Sequence, residues 1–493
     1  MAHFHLAWQG SIGLGNGQPI IATNIAGHAA LLIVPAYSSL EAFDALSGKA
    51  VWSTSLPTQN QQPCGVTGIG GTAQYDATLG TVYVIAGNGN STNHVVLYEL
   101  NAATGNEMNS VDLTPVLVTG EATFGHTAVT LANGMLYAGT SSNCEGSSSG
   151  PPSWLGRIVA VNPSTMMVAD TFYTTYGQGG SYGGGGVWAW GAVSADAAGN
   201  VYAGAGNAET NASVSQPIPA PVATTTDEQA GYAEHLIKLT SNLQTVEDSN
   251  YPGFNFTIGY GDLDYTGVPV LWQPVVGSGC TDLMSATQGK GGVLEINDTT
   301  SLNPPVASYA LSVPSGNAYY IGNPGYSPVT GYLYAAIASS GNGSSMLPPG
   351  MAAISSCGTS MAWHAQFGSD SAAWGQTENP RSAPTVTAGG VAFMGTPCTS
   401  NGNGGCDTPN ANVTNGALWA VDAASGALLG SGGNPLLVTG DNIRMAPSAD
   451  GLWIWVCDDS GNLYAYTVDP SVPAAALRPA KHFVHPSRFH ELK

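Results

Sequence analysis

Positive charge is the scarcest property of this 493-residue chain. Ten Lys and Arg residues stand against 31 Asp and Glu, a formal net charge of −21 at pH 7. So acidic a chain repels phosphate backbones and anionic headgroups, which excludes nucleic acid and anionic membranes as partners. Charge of either sign is rare: 8% of residues are charged, against ~25% in an average soluble protein. Apolar runs of the ~18 residues that a spanning helix needs are missing, so no membrane insertion is expected. Seven cysteines, at positions 64, 144, 280, 357, 398, 406 and 457, include no CxxC, no CxxCH and no adjacent pair. Metal fingers and c-type haem attachment are thereby excluded. Sustained helical periodicity is missing too. No serine nucleophile elbow, HExxH helix, Walker loop or His cluster at metal spacing occurs, and no metal site is expected. The first residues, MAHFHLAWQG, have neither the basic region nor the apolar core of a signal peptide and read as a mature start.

What remains is apolar, small and rich in turns. Hydrophobic residues make up 43%, enough for a large core, and 66 Gly and 31 Pro are spread along the chain. Such a composition suits an all-β fold with many turns. The surface must consist mostly of Ser, Thr, Asn, Gln and Gly. Acid unfolds proteins by protonating carboxylates that need their charge and by building up cationic self-repulsion. With so few Lys and Arg, little positive charge accumulates in acid. The expectation is a periplasmic or extracellular protein of an acidic environment; a polar secreted protein working at neutral pH is the competing reading.

One phrase recurs. LEAFDALSGKAVW (40–52) returns as LYELNAATGNEMNS (97–110) and LWAVDAASGALLGS (418–431). Alternating apolar residues form a half-buried strand, an Asp- and Gly-containing turn follows, and a second short strand completes the hairpin. Asp44, Asp298 and Asp422 are turn residues on this reading. Weaker copies begin at 157, 235, 293, 352 and 462, and segments such as GHTAVTLANGMLYAG (125–139) supply inner strands upstream. That makes eight units at a spacing of roughly 40–65 residues, which suits four-stranded propeller blades with insertions. The last copy lacks an outer strand, and HLAWQGSIG (5–13) lacks a blade. The N-terminal strand therefore completes the last blade and closes the ring, leaving no free sheet edge. The expected fold is an all-β, eight-bladed propeller over 1–471, with insertions at about 140–156, 207–231 and 396–416 and a tail over 472–493.

LEAFDALSGKAVW nearly matches the Ala-x-Asp-x-x-Thr-Gly-x-x-x-Trp hairpin of the quinoprotein propellers. The chain resembles that family over almost its whole length. The resemblance is specific for fold and weak for function, because such repeats also build binding and scaffold proteins.

In such an architecture, connections entering the inner strands and hairpins between second and third strands share one face, around the mouth of a central funnel. Arg381 (RSAP) and Arg444 (RMAP) share a register there, and Lys290 (TQGKGG) sits in a hairpin on the same face. Three of ten basic residues converging on one mouth suit a small anion; bracing of neighbouring loops is the competing role. GYGDLDYTG places Asp262 and Asp264 in the connection entering the fifth blade, with Asp264 nearer the strand. Asp282, in GCTDLMS, belongs at the start of a second strand on the opposite face. His126, Trp190 and Tyr326 are rim positions that line the mouth or pack between blades. Arg157 and Lys238 lie in strands and read as structural. GQGGSYGGGG (177–186) precedes no helix and reads as a flexible loop over the funnel. Cys398 and Cys406 share one Gly/Asn-rich loop that a disulfide would close. A free Cys280 or Cys357 would be able to form a persulfide, with structural burial as the alternative.

Three functions fit. In size, repeats, acid-type composition and an anion-suited funnel, the chain resembles the tetrathionate hydrolases of acidophilic sulfur oxidisers. That resemblance implies hydrolysis of tetrathionate to thiosulfate, sulfate and sulfur, without a cofactor, by a homodimer built with insertion loops. It also implies an essential aspartate acting as an acid, for which placement favours Asp264, then Asp262 and Asp282. The alternative is a dehydrogenase using pyrroloquinoline quinone (PQQ) with calcium, in which Lys290 resembles the cation that contacts the quinone. Against it, no vicinal Cys pair occurs, and the calcium ligands are recognisable only in Asp262 and Asp264. A binding scaffold without turnover is the third.

Overall fold

In the computed structural model, described residues are 4–15, 17–61, 65–89, 94–114, 123–125, 127–142, 154–175, 182–188, 193–206, 208–210, 231–251, 265, 267–289, 292–311, 323–337, 347–367, 385–387, 389–396, 416–439, 441–443 and 445–475. They form eight four-stranded antiparallel sheets and two short ribbons. Blade 1 shows the pattern, with Ile20–Ile25, His28–Pro35, Ser39–Asp44 and Ala50–Ser55 running from inside to outside. Blades 2 to 7 span 74–112, 130–173, 194–250, 270–310, 325–366 and 385–439. Blade 8 takes Ser448–Asp450, Trp453–Cys457 and Asn462–Thr467 from the end of the chain and its outer strand, His5–Ser11, from the beginning. The ring is closed by the N-terminal strand, as the repeat count requires.

The repeated phrase is the third strand, its turn and the fourth strand. Its physical basis is one side-chain acceptor. Asp44 Oδ1 accepts from the Ser47 amide at 2.9 Å, Asn101 Oδ1 from Thr104 at 3.1 Å and Asp422 Oδ1 from Ser425 at 2.8 Å. Blade 7 departs from the phrase. Leu428 and Leu429 begin pairing with the third strand, Gly430–Pro435 bulges away, and the outer strand proper is Leu437–Thr439. Consecutive glycines and a proline interrupt the ladder there.

Apolar side chains fill the seams between blades. Those between blades 1 and 2, 2 and 3, 3 and 4, 5 and 6, 6 and 7, 7 and 8, and 8 and 1 each hold a cluster of ten or more buried residues. Among the described residues, the cluster between blades 4 and 5 holds three: Tyr202, Leu236 and Leu302.

Two expectations change. Cys280 and Cys357 are joined in a disulfide between blades 5 and 6, so neither is a thiol that forms a persulfide. The free thiol among the described residues is Cys457, buried between blades 8 and 1. GQGGSYGGGG is not wholly a flexible loop: Tyr182–Gly184 pairs with Ala208–Thr210, and Gly184 bonds through its backbone to Trp154 and Gly156. Cys398 and Cys406 lie outside the described residues. No helix among those described is long and apolar enough to cross a membrane.

Candidate functional site

The mouth face is made by the turns between second and third strands and by the chain entering each inner strand. Two polar groups of described residues occupy it.

The first lies at blades 3 to 5. Leu236–Leu239 is preceded by Glu234 and His235, tied down by Glu234 N to Gly206 O at 3.0 Å and Ala205 N to His235 O at 3.0 Å. Glu234 is fully buried and held at φ 54°, a left-handed conformation that costs a non-glycine residue about 1 kcal/mol or more. His235 is buried as well. Burial drives its pKa down to about 4, against the hydrogen bond to Ala233 O at 2.6 Å, which favours the cation. Tyr265 enters blade 5 fully buried, and its phenol donates to Glu295 at 2.8 Å. Asn250 Nδ2 donates to the same oxygen at 2.7 Å. Burial raises Glu295 above the ordinary carboxylate range, while the Tyr265 and Asn250 bonds pull the other way. Tyr265 is pushed well up by burial, then by the charges of Glu295 and Glu234. Arg157 is buried at the start of its strand with its guanidinium over the Tyr173 ring, and Lys238 pairs with Glu247 at 3.3 Å. Both lie in strands, where the sequence placed them.

The second lies where the ring closes. The turn Asp458–Gly461 receives the N-terminal chain, through Ile12 N to Gly461 O at 2.9 Å and Gly15 N to Asp459 O at 3.2 Å. Asp459 N reaches Asn442 O at 2.9 Å, Asn442 Nδ2 reaches Asp459 Oδ2 at 3.3 Å, and Ser460 bonds Asp441. Asp458 is fully buried. Burial pushes it up to about 7; Asn462 opposes the rise, and the neighbouring Asp441 and Asp459 add to it. It holds a proton throughout the acid range. Sequence reasoning missed this group. DDSGN reads as an ordinary turn, and nothing local reveals that another chain segment covers it.

Asp264, Asp262, Lys290, Arg381, Arg444, His126 and Trp190 lie outside the described residues. Their chain neighbours do not. Tyr265 pairs with Gly289 as an isolated antiparallel bridge, so the residues next to Asp264 and next to Lys290 share one point of the mouth face. Ile443 and Met445, on either side of Arg444, are buried. Asp282 is exposed in the connection between the first and second strands of blade 5, on the face away from the mouth. Tyr326 is on the inner strand of blade 6, stacked on Trp272 with ring centroids 5.4 Å apart. Trp272 Nε1 in turn bonds Ser356 O, in the disulfide-bearing turn. The ring of Tyr326 therefore packs between blades 5 and 6, because its apolar body finds an aromatic partner there.

No protein-family model matches the chain, and no curated protein matches it by sequence. Solved structures do match. The fold is that of the quinoprotein propellers. The quinohemoprotein alcohol dehydrogenase of Comamonas testosteroni superposes with a TM-score of 0.65 and 16% identity, over 98% of this chain and 78% of that one. A europium-containing methanol dehydrogenase gives 0.63 and 14%, over 94% and 93%. The computationally designed Ika8 protein gives 0.52 and 8%, over 94% and 100%. Natural dehydrogenases and a designed protein thus share this architecture, and function must be argued from the site.

Proposed function

We propose that the chain is an acid-active hydrolase that cleaves tetrathionate at the mouth of the propeller, in a periplasmic or extracellular acidic setting. The observation that carries this reading is the bridge between Tyr265 and Gly289. It joins the segment bearing Asp262 and Asp264 to the turn bearing Lys290. An acid and a cation on adjacent segments suit a substrate that is a dianion and needs a proton on its leaving sulfur. Lys290, Arg381 and Arg444 would hold the sulfonate ends, and Asp264 would protonate the leaving sulfur. Asp262 is the second candidate, and Asp282, on the far face, drops out of the mouth. Tetrathionate and water give thiosulfate, sulfate, sulfur and two protons, so the site must shed protons as well as supply one. Buried carboxyls around the mouth, with the few cations of the sequence, fit work in acid. We propose also that 1–471 acts as one propeller unit with 472–493 as its tail, and that the insertions at about 140–156, 207–231 and 396–416 build a homodimer.

The structural likeness to quinohemoprotein dehydrogenases favours a second reading. A PQQ–calcium group requires converging acidic ligands. Among the described residues no three His, Cys, Asp or Glu side chains come together in that way, and the sequence has no vicinal cysteines. The acids that would hold such a group, Asp262 and Asp264, lie outside the described residues, and no step is derived through it.

The deciding experiment follows thiosulfate release from tetrathionate at about pH 3 and about pH 7, for the wild type and Asp264→Asn. Turnover confined to acid, falling roughly 100-fold or more in the variant with KM little changed, is expected for a general acid. Full activity in the variant moves the acid to Asp262. Absence of turnover at both pH values overturns the hydrolase. Reduction of a dye by an alcohol after adding PQQ and calcium would then establish the dehydrogenase.

A further inference from the structure

The seam between blades 4 and 5 differs from the other seven. In blade 5, alternate residues point to opposite faces. Met284, Ala286, Leu294 and Ile296 pack toward blade 6. The residues between them, Ser285, Thr287, Glu295 and Asn297, face blade 4, and all four are buried. They are cross-strand partners, Ser285 with Asn297 and Thr287 with Glu295. Blade 4 answers with Tyr202, Lys238, Asp248 and Asn250. Asn250 bonds Glu295 at 2.7 Å, Asp248 accepts from Leu302 N at 2.7 Å, and Lys238 reaches Thr299 O at 3.2 Å.

This polarity is not required by the fold, since the other seven seams of the ring are lined mainly by apolar side chains. Nor is it internally satisfied. Ser285 Oγ, Asn250 Oδ1 and Asn297 Oδ1 are buried without a protein partner. Each would cost roughly 1–3 kcal/mol if left dry. Such atoms are the ones that internal water satisfies, at two to four polar partners per molecule.

The polar groups also form a file. At the mouth end the Tyr265 phenol, with the Thr287 hydroxyl beside it, donates to Glu295. Ser285 and Asn297 come next, with Asn297 Nδ2 on Leu302 O at 2.8 Å. Beyond them Lys238 reaches Thr299 O at 3.2 Å, and Thr299 lies beside the Tyr202 hydroxyl, which donates to Asp196 at 3.0 Å, while Leu302 packs on Tyr202 to one side. Asp196 belongs to the turn at the other end of blade 4, on the opposite face.

We propose that the seam between blades 4 and 5 holds a file of water molecules that conducts protons between Tyr265 at the mouth and Asp196 on the opposite face. A proton released at the mouth binds the nearest water, each water hands one proton to the next, and Asp196 takes one up and gives it to bulk solvent. One proton enters, one leaves, and no heavy atom moves. Glu295, kept protonated in acid by its burial, can serve as a member of the file. Its use as an outlet for the protons of hydrolysis rests on the hydrolase reading; the conduction itself does not.

The test reads proton exchange without turnover. The carbonyl band of protonated Glu295 is found by infrared spectroscopy of the full chain in acid, identified by its loss in Glu295→Gln. The protein is then moved to heavy water and the isotope shift of the band is timed. A hydrated file exchanges Glu295 far faster than global unfolding allows, and Asn297→Leu, which puts an apolar side chain in its path, slows the shift on the order of tenfold or more. Exchange in the wild type as slow as global unfolding overturns the proposal without any variant. So does an unchanged rate in a folded Asn297→Leu. If tetrathionate is turned over, the same variant lowers kcat but not KM, and a small diffusible acid restores the rate. A loss of kcat that no such acid restores would leave exchange intact and overturn only the outlet role.

Discussion

The turns at Asp196 and Asp458 share five of eight residues and one hydrogen-bond pattern, and differ in what surrounds them. Asp196-Ala-Ala-Gly-Asn-Val-Tyr-Ala and Asp458-Asp-Ser-Gly-Asn-Leu-Tyr-Ala fold alike. In each, the Asp amide bonds the Asn carbonyl at 3.0 Å and the carboxylate accepts the Asn amide at 2.8 Å. The Asn side chain and the Tyr hydroxyl complete the set, with the hydroxyl at 3.0 Å in the first turn and 3.3 Å in the second. Yet the first joins strands one and two of blade 4 on the outer face. The second joins strands two and three of blade 8 on the mouth face, beneath the N-terminal chain. The two acids respond in opposite directions. At Asp196 burial acts upward, but the bonds from Asn200, Tyr202 and the Ala198 amide outweigh it and the pKa falls. At Asp458 the same bonds lose to deeper burial, reinforced by Asp441 and Asp459. Local hydrogen bonding is a property of the sequence; the cost of desolvation is a property of what covers it.

The sharpest way to break this comparison is at the shared glycine. Gly199 and Gly461 both adopt left-handed φ, 98° and 76°. A methyl group on Gly199 would meet nothing closer than 3.7 Å, whereas on Gly461 it would lie 1.8 Å from the Gly13 carbonyl oxygen. Gly199→Ala should therefore cost only the backbone strain, about 1 kcal/mol. Gly461→Ala adds a backbone collision at the ring closure and should cost about 5 kcal/mol. Urea unfolding of the two variants checks this. Equal costs would mean that the N-terminal chain does not seat on that turn.

Next in size is the pH dependence. The folded pKa of Asp458 is raised above its unfolded value, so its contribution to stability is complete below the unfolded value of 3.8 and is lost as pH rises toward about 7. Across that window the loss amounts to roughly 4 kcal/mol at most. Asp458→Asn keeps one acceptor oxygen and removes the titration. It should be about 1 kcal/mol less stable than the wild type in acid and more stable at neutral pH. Asp196 runs the other way. Its pKa is lowered, so its contribution is present above 3.8 and fades as pH falls below. Its exposure limits that contribution to under about 1 kcal/mol. Urea midpoints measured from acid to neutral pH should cross for Asp458→Asn and stay nearly parallel for Asp196→Asn. Parallel curves for both would show that solvent reaches Asp458.

The fold was legible because its information is local and repeated. Asp44, Asn101 and Asp422 each cap their own turn, so the third strand of every blade and the need for an N-terminal outer strand follow from spacing alone. The blade 7 outer strand was displaced by Gly430–Pro435, a local signal outweighed by the repeat. Cys280 and Cys357 pair across 77 residues, and no spacing rule reaches that far. The polar seam was half legible. MSATQ and VLEIND alternate apolar with polar residues in a largely buried strand pair, which distinguishes blade 5 from its neighbours, but only the ring reveals that blade 4 answers with Asn250 and Tyr202. Among the site candidates, Asp282 was placed correctly on the far face by strand order. Tyr326 followed the packing alternative because Trp272 arrives from a different blade.

The smallest effect separates local bonding from burial most cleanly. Tyr202→Phe and Tyr464→Phe each remove one hydroxyl from an aspartate of the same turn. The Tyr202 bond goes to a carboxylate that is ionised at neutral pH and partly solvated, where water can replace the hydroxyl, so its loss should cost about 0.5 kcal/mol and vary little above pH 5. The Tyr464 bond is longer, but no water can replace it under the N-terminal chain. Because that bond favours the charged form, its removal raises the Asp458 pKa further. Tyr464→Phe should thus be nearly silent in acid and cost about 1 kcal/mol near neutral pH. Carbon-13 chemical shifts of the two aspartate carboxyls, followed through a pH titration, read the acid shift directly. A larger upward move at Asp458 than at Asp196 is expected, because only the covered bond has no replacement in water; equal moves at both sites would show that solvent reaches both turns.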